Sequence, residues 1–248
     1  MRSGKTRFIA LFIAVATVAV GTFALWRSRP SDLALPTVLQ GKEPSLVARV
    51  EETLKAVSAD PGEPELWTRL GYIYEANLLI ALALESYQKT LALDATQPKV
   101  WYRVAKIKMT IGDRLGAMAA AQRVVELAPD FAPVRWRLGL WQLEEGHLEK
   151  AKASFERAIA LDAGNPAGLW GLARVLLQEQ HPEHAAVVLQ RMVQERPDDA
   201  YAHLLLGTAY RQLGRWQEAQ LELERGAGGA PVWPQDAWDE EVDRKSVV

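Results

Sequence analysis

Cysteine is absent from the 248 residues. Disulfides, Cys-ligated zinc, iron–sulfur clusters and c-type haem attachment are therefore excluded. Positive charge is not in excess: 29 Lys+Arg stand against 31 Asp+Glu, so no overall basic field exists to hold nucleic acid. No G-x-G-x-x-G, Walker loop, G-x-S-x-G or H-E-x-x-H occurs. Histidine is scarce, at four residues. The pair His181 and His184 flanks Pro182-Glu183, but a metal site would need further ligands in a fixed geometry, and a solvated turn is the expectation. No catalytic residue, cofactor, metal or small-molecule substrate is expected. What remains is 49% apolar and 24% charged, the balance of an ordered chain.

The N-terminus is a different material from the rest. Residues 8–26 carry no charge, and as a helix they would span about 28 Å, close to the hydrocarbon thickness of a bilayer. Arg2, Lys5 and Arg7 precede the run, and Arg27 and Arg29 follow it. A cleaved signal peptide is the competing reading. Its apolar core is usually shorter and ends in small residues, whereas this run ends in Phe23, Leu25 and Trp26. The expectation is a single-pass anchor with residues 1–7 as a basic cytoplasmic tail. Residues 27–44 read as a linker, interrupted by Pro30, Pro36 and Pro44. The body would then lie on the extracytoplasmic side, and its acidic balance argues against lying on an anionic lipid surface.

From Pro64 the chain repeats every 34 residues, with units starting at 64, 98, 132, 166 and 200. Position 20 of the unit is Ala83, Ala117, Ala151, Ala185 and Ala219; position 8 is Gly71, Ala105, Gly139, Ala173 and Gly207. Bulky Tyr87, Phe155, Leu189 and Leu223 recur at position 24, and Pro129, Pro197 and Pro231 at position 32. Apolar spacing marks two helices per unit, with Gly112, Gly146 and Gly214 turning the chain between them at position 15. Leu78 and Gln180 depart from that glycine. Small residues at 8 and 20 let the paired helices approach, and the residues at 24 fill the space beside that contact. One such hairpin cannot bury its apolar faces alone, so neighbours must stack.

This pattern resembles the tetratricopeptide repeat (TPR) family, carried by Trp67-Leu70-Gly71-Tyr74-Ala83-Tyr87, Leu138-Gly139-Ala151-Phe155-Ala158 and Leu206-Gly207-Tyr210-Gly214-Ala219. The resemblance implies an all-α TPR solenoid, with five helix-turn-helix repeats over 64–231 and an N-terminal capping helix at 45–58, behind the anchor helix. Arg135 and Leu169 stand where the family usually has Trp, with Trp136 and Trp170 one place later; His203 takes that place in the fifth unit.

The resemblance also implies a working surface, because TPR ligands are held largely by positions 2, 5, 9, 12 and 13 of each first helix. Carried onto this chain, the candidate groove is Tyr72, Tyr102, Lys106, Met109, Trp136, Leu140, Leu143, Trp170, Arg174 and Arg211. Such a lining suits a peptide with apolar anchors. Two readings stay open for Trp136 and Trp170: groove residues, or replacements for the missing Trp that pack between helices. Two are also open for residues 232–248, which hold Trp233, Trp238 and an acidic run. One is a lid over the apolar end of the last repeat, the favoured expectation; the other is a partner-docking tail. The functional expectation is a non-enzymatic, membrane-anchored scaffold binding a protein or peptide segment at the bacterial inner membrane, on the periplasmic side. It would be an assembly factor or accessory subunit of an envelope complex. The chain is also similar to the TPR part of cytochrome c biogenesis proteins, which implies holding of apocytochrome segments. A permanent structural subunit of a membrane complex is the further alternative.

Overall fold

The computed structural model describes residues 33–239. The expected anchor at 8–26, the basic tail at 1–7 and the last residues of the acidic segment lie outside them. Among the described residues no helix is long and apolar enough to cross a membrane, and there is no strand.

The chain divides into a short unit ending at Leu66 and a main unit from Trp67 onward. In the short unit, a 3-10 turn at Thr37–Leu39 follows Pro36 and leaves Leu39 buried. Part of the expected linker is thus locally folded, because Pro36 presets the turn and an apolar side chain follows it. Helix α1 (Pro44–Ala59) begins on a proline, which suits a first helical position where the missing N–H leaves nothing unpaired.

Helix α2 (Pro64–Ala76) opens a series of paired helices. It is followed by α3 (Ile80–Leu93), α4 (Pro98–Thr110), α5 (Arg114–Leu127), α6 (Ala132–Glu144) and α7 (Leu148–Leu161). Then come α8 (Pro166–Gln178), α9 (Pro182–Glu195), α10 (Ala200–Gln212) and α11 (Trp216–Arg225). From α3 onward each helix packs on the next, and α6, α8 and α10 also meet in succession, forming an inner layer with the second helices outside it.

Local chemistry explains the repeat. Asp113, Asn165 and Asp199 cap α5, α8 and α10 by accepting from backbone N–H groups of Gly116, Gly168 and Ala202. At the turn between paired helices Gly112, Gly146 and Gly214 have positive φ. Leu78 and Gln180 adopt the same left-handed conformation, at φ 59 and 60, where a Cβ is disfavoured. The close helix approach is literal. A Cβ on Gly71 would lie 2.4 Å from the Tyr87 ring, and one on Gly139 would lie 2.9 Å from the Phe155 ring.

The position-4 residues of the second, third and fifth repeats share one contact. Trp101 Nε1 donates to the Ala95 carbonyl at 2.8 Å, Arg135 Nη2 to Pro129 O at 3.4 Å, and His203 Nε2 lies 2.8 Å from Pro197 O. Each ties the first helix to the carbonyl six residues back, at the end of the preceding repeat. Trp, Arg and His serve there alike because each offers an N–H at similar reach. His203 is buried as well, with Nδ1 2.5 Å from Glu222 Oε2.

Candidate functional site

The inner face of α4, α6 and α8 carries aromatic side chains at position 5 of three consecutive repeats: Tyr102, Trp136 and Trp170. All three are buried, and what covers them is the chain's own C-terminal segment. After α11 the backbone turns through Gly226–Gly229, passing so close to α10 that a Cβ on Gly226 would lie 2.4 Å from Leu204 N, and one on Gly229 2.6 Å from Ala200 O. Only glycine permits that approach, and it sends the segment back along the inner layer. The lid expectation is corrected accordingly: the described part of the tail lies across the middle repeats, and among the described residues none covers the end of the last one. Trp216 there is 67% exposed beside a shallow pocket of about 440 Å³.

Two tryptophans anchor the tail. Trp233 stacks on Trp136, with centroids 5.6 Å apart and planes at 10°, and meets Trp170 edge-on at 6.0 Å. Trp238 stacks on Phe131 at 3.6 Å and meets the Tyr102 ring edge-on at 5.7 Å. Such pairs add to area burial. Pro234 favours an extended backbone at Trp233. Asp236 Oδ1 accepts from the backbone N–H groups of Trp238 and Asp239, both at 3.0 Å, folding the tail's last described residues into one turn.

Between the anchors lies a charge network. Tyr102 donates its hydroxyl to Asp236 Oδ2 at 2.6 Å and accepts from Arg137 Nε at 2.5 Å. Arg137 Nη2 reaches Asp236 at 3.3 Å and Asp239 at 3.1 Å, while its guanidinium lies 4.4 Å from the Trp136 ring centroid. Asp239 also pairs with Arg103 at 2.5 Å and with Lys106. Arg103 is held from behind by Glu75, whose Oε2 receives Arg103 Nε at 2.9 Å and the Tyr87 hydroxyl at 2.7 Å. Every charged group in this network therefore has an opposite partner, which burial requires.

The ionisation preferences follow. Burial pushes the Tyr102 phenol far up, against the pull of Arg137 and with the help of Asp236, so it stays a donor. Burial alone would raise the Asp239 carboxyl, but the Lys106, Arg103 and Arg137 cations outweigh it and hold the group below its usual 3.8. Lys106 is shifted down, first by burial and then by the neighbouring Arg103, although Asp239 opposes both. A carboxylate surrounded by three cations keeps its charge, whereas an ammonium beside two guanidiniums holds its proton less firmly.

Of the expected groove residues, Tyr102, Lys106, Trp136 and Trp170 gather around the tail. Leu140 packs against the cluster containing Trp136, Phe155 and Trp233. Leu143 belongs to that core, 4% exposed. Tyr72 instead meets Tyr87 edge-on at 5.9 Å. Met109 and Arg174 are half-buried, and Arg211 is exposed at the pocket of the last repeat. Trp136 and Trp170 each belong to a hydrophobic cluster, and both meet the Trp233 ring. Sequence reasoning missed Arg103, Arg137 and Phe131. Arg69, Arg103 and Arg137 all occupy position 6, so an in-register arginine column beside the aromatic one was the available signal. His181 and His184 have ring centroids 5.9 Å apart, and among the described residues no three His, Asp or Glu side chains gather as a metal site would need.

Comparisons with known proteins bear on the repeat itself. A sequence profile described as tetratricopeptide repeat matches residues 142–195 and 176–235, and a second of the same description matches 98–131. No curated protein sequence matches the chain. Among solved structures, a crystal structure of MamA aligns with a TM-score of 0.62 at 20% identity, covering 66% of this chain and 90% of that one. YrrB, described as a TPR protein with an unusual peptide-binding site, aligns at 0.64 and 15% identity, covering 79% and 99%. MamA 41-end from Desulfovibrio magneticus RS-1 aligns at 0.62 and 16% identity, covering 66% and 93%. At these identities the likeness is one of fold.

Proposed function

Since the chain belongs to the tetratricopeptide repeat family, we propose that it is a non-enzymatic scaffold whose inner face holds a peptide segment of a protein partner. In this reading residues 8–26 tether it to the bacterial inner membrane, with the repeats on the extracytoplasmic side, as an assembly factor or accessory subunit of an envelope complex. The observation that carries the reading is the peptide already lying on α4, α6 and α8: two stacked indoles and two carboxylates on matched aromatic and cationic side chains. A preformed surface binds such a segment with little ordering of its own. The tether confines the search to the membrane and raises effective concentration. YrrB's described peptide-binding site is consistent with this use of the fold.

The test is site-specific photo-crosslinking in native membranes. A crosslinker at Met109, one helical turn after the tail-contacting Lys106 on α4, is expected to capture a discrete partner. One at Val187, 66% exposed on α9, is expected not to capture it. Equal capture from both positions would remove the groove from the mechanism. Recovery of the chain in the soluble fraction with residues 8–26 still present would remove the tether.

A further inference from the structure

The tail's contacts specify a ligand. Trp233 and Trp238 stand five residues apart and reach two separate aromatic sites, Trp136/Trp170 and Phe131/Tyr102. Asp236 and Asp239, three and six residues after Trp233, meet Tyr102 with Arg137, and Arg103 with Lys106 and Arg137. A segment that merely shielded apolar surface would have no use for this charge register. It would also lie on the nearer apolar end of α11, which the described residues leave exposed.

The fit is incomplete at one place. The indole N–H groups of Trp136 and Trp170 are buried and have no acceptor. A buried donor left unpaired is destabilising, so an occupant that supplied carbonyl oxygens to both would be held more firmly than the tail is. Against that, the tail has the advantage of attachment, which gives it a high local concentration. An external segment therefore meets a groove that is open only a fraction of the time, and its apparent affinity falls by that fraction.

We propose that the groove's ligand is an acidic segment of a protein partner, with two aromatic side chains five residues apart and carboxylates three and six residues after the first, and that residues 233–239 are this chain's own displaceable copy of it. The proposal rests on the peptide-binding reading above and gives that reading its partner chemistry and its regulation.

The probe is a fluorescent synthetic peptide with the sequence of residues 230–241, titrated by anisotropy into the detergent-solubilised full chain. The full-length Trp233→Ala/Trp238→Ala variant, whose tail cannot compete, is expected to bind it at least tenfold more tightly than wild type. A peptide carrying asparagine in place of both aspartates is expected to lose at least tenfold. Equal binding by wild type and variant would overturn the competing-copy assignment, and equal binding of the two peptides would overturn the charge register. Circular dichroism checks folding. Should the double variant lose helix, full-length Asp239→Asn keeps both indoles and is expected to gain severalfold; no gain overturns the proposal. A wild-type oligomer that the tail variant converts to monomer would place the tail in a second copy and overturn the intramolecular assignment. Crosslinking at Met109 separates the two levels: capture there with unchanged peptide affinity sinks this inference alone, whereas no capture and no peptide binding sink the functional reading with it.

Discussion

The inner face of α4, α6 and α8 and the open end of α11 both present apolar surface within reach of the C-terminal segment, yet among the described residues only the first is covered. The open end offers Trp216 and Leu221, 67% and 48% exposed, and a pocket whose charged lining is Arg211 and Glu224. The inner face offers stacked rings and three cations matched to two aspartates. The difference teaches that directional complementarity, and not apolar area alone, decides where the segment lies. Aromatic pairs and buried charge pairs have strong geometric demands, while area burial has almost none.

The sharpest way to break this comparison is to remove its central cation. Arg137→Ala leaves Asp236 and Asp239 short of a partner and the Tyr102 hydroxyl without its donor. Truncating one side of a buried pair typically costs about 3–5 kcal/mol. The expected outcome is lower urea-unfolding stability together with rapid proteolysis between residues 230 and 239; a tail as protected as in wild type would show that rings alone hold it. Acid should act in the same direction. Because the Asp239 carboxyl in the folded chain sits below its ordinary 3.8, its contribution is complete above that value and is lost as pH falls below it through the depressed value. Tail release, followed by tryptophan fluorescence, is expected in that acid window and not between pH 5 and 7. Away from the groove, Leu78→Gly relieves a left-handed leucine that is 82% exposed, and is expected to stabilise by about 1 kcal/mol, read as a raised Tm. The smallest effect belongs to the open end: Trp216→Ser is expected to change stability by no more than about 0.5 kcal/mol, as for a surface site. A larger loss would mean that this end has a cover of its own.

The helical repeat was legible because its causes are local and recur. Alanine at position 20 in all five units, glycine at position 15 in three and proline at position 1 in three each answer a recurring steric need. Two of the departures had a readable logic, since Arg135 and His203 offer an N–H at the reach of Trp101, whereas Leu169 offers none. The groove was legible in its aromatic column, Tyr102, Trp136 and Trp170, but not in its charge. Arg103 and Arg137 occupy a position outside the set that the family resemblance supplies, and only the column they form with Arg69 marks them. The tail's route was not legible at all. It depends on contacts between residues separated by up to 136 positions, such as Arg103 with Asp239, and no periodicity reports a pairing that occurs once.

The glycine hairpin at 226–229 gives this protein a history as well as a shape. Translation delivers the repeats before the segment that plugs them, so every newly made molecule passes through an interval in which its inner face is complete and bare. A partner present at that moment meets no rival. One arriving later must evict an incumbent.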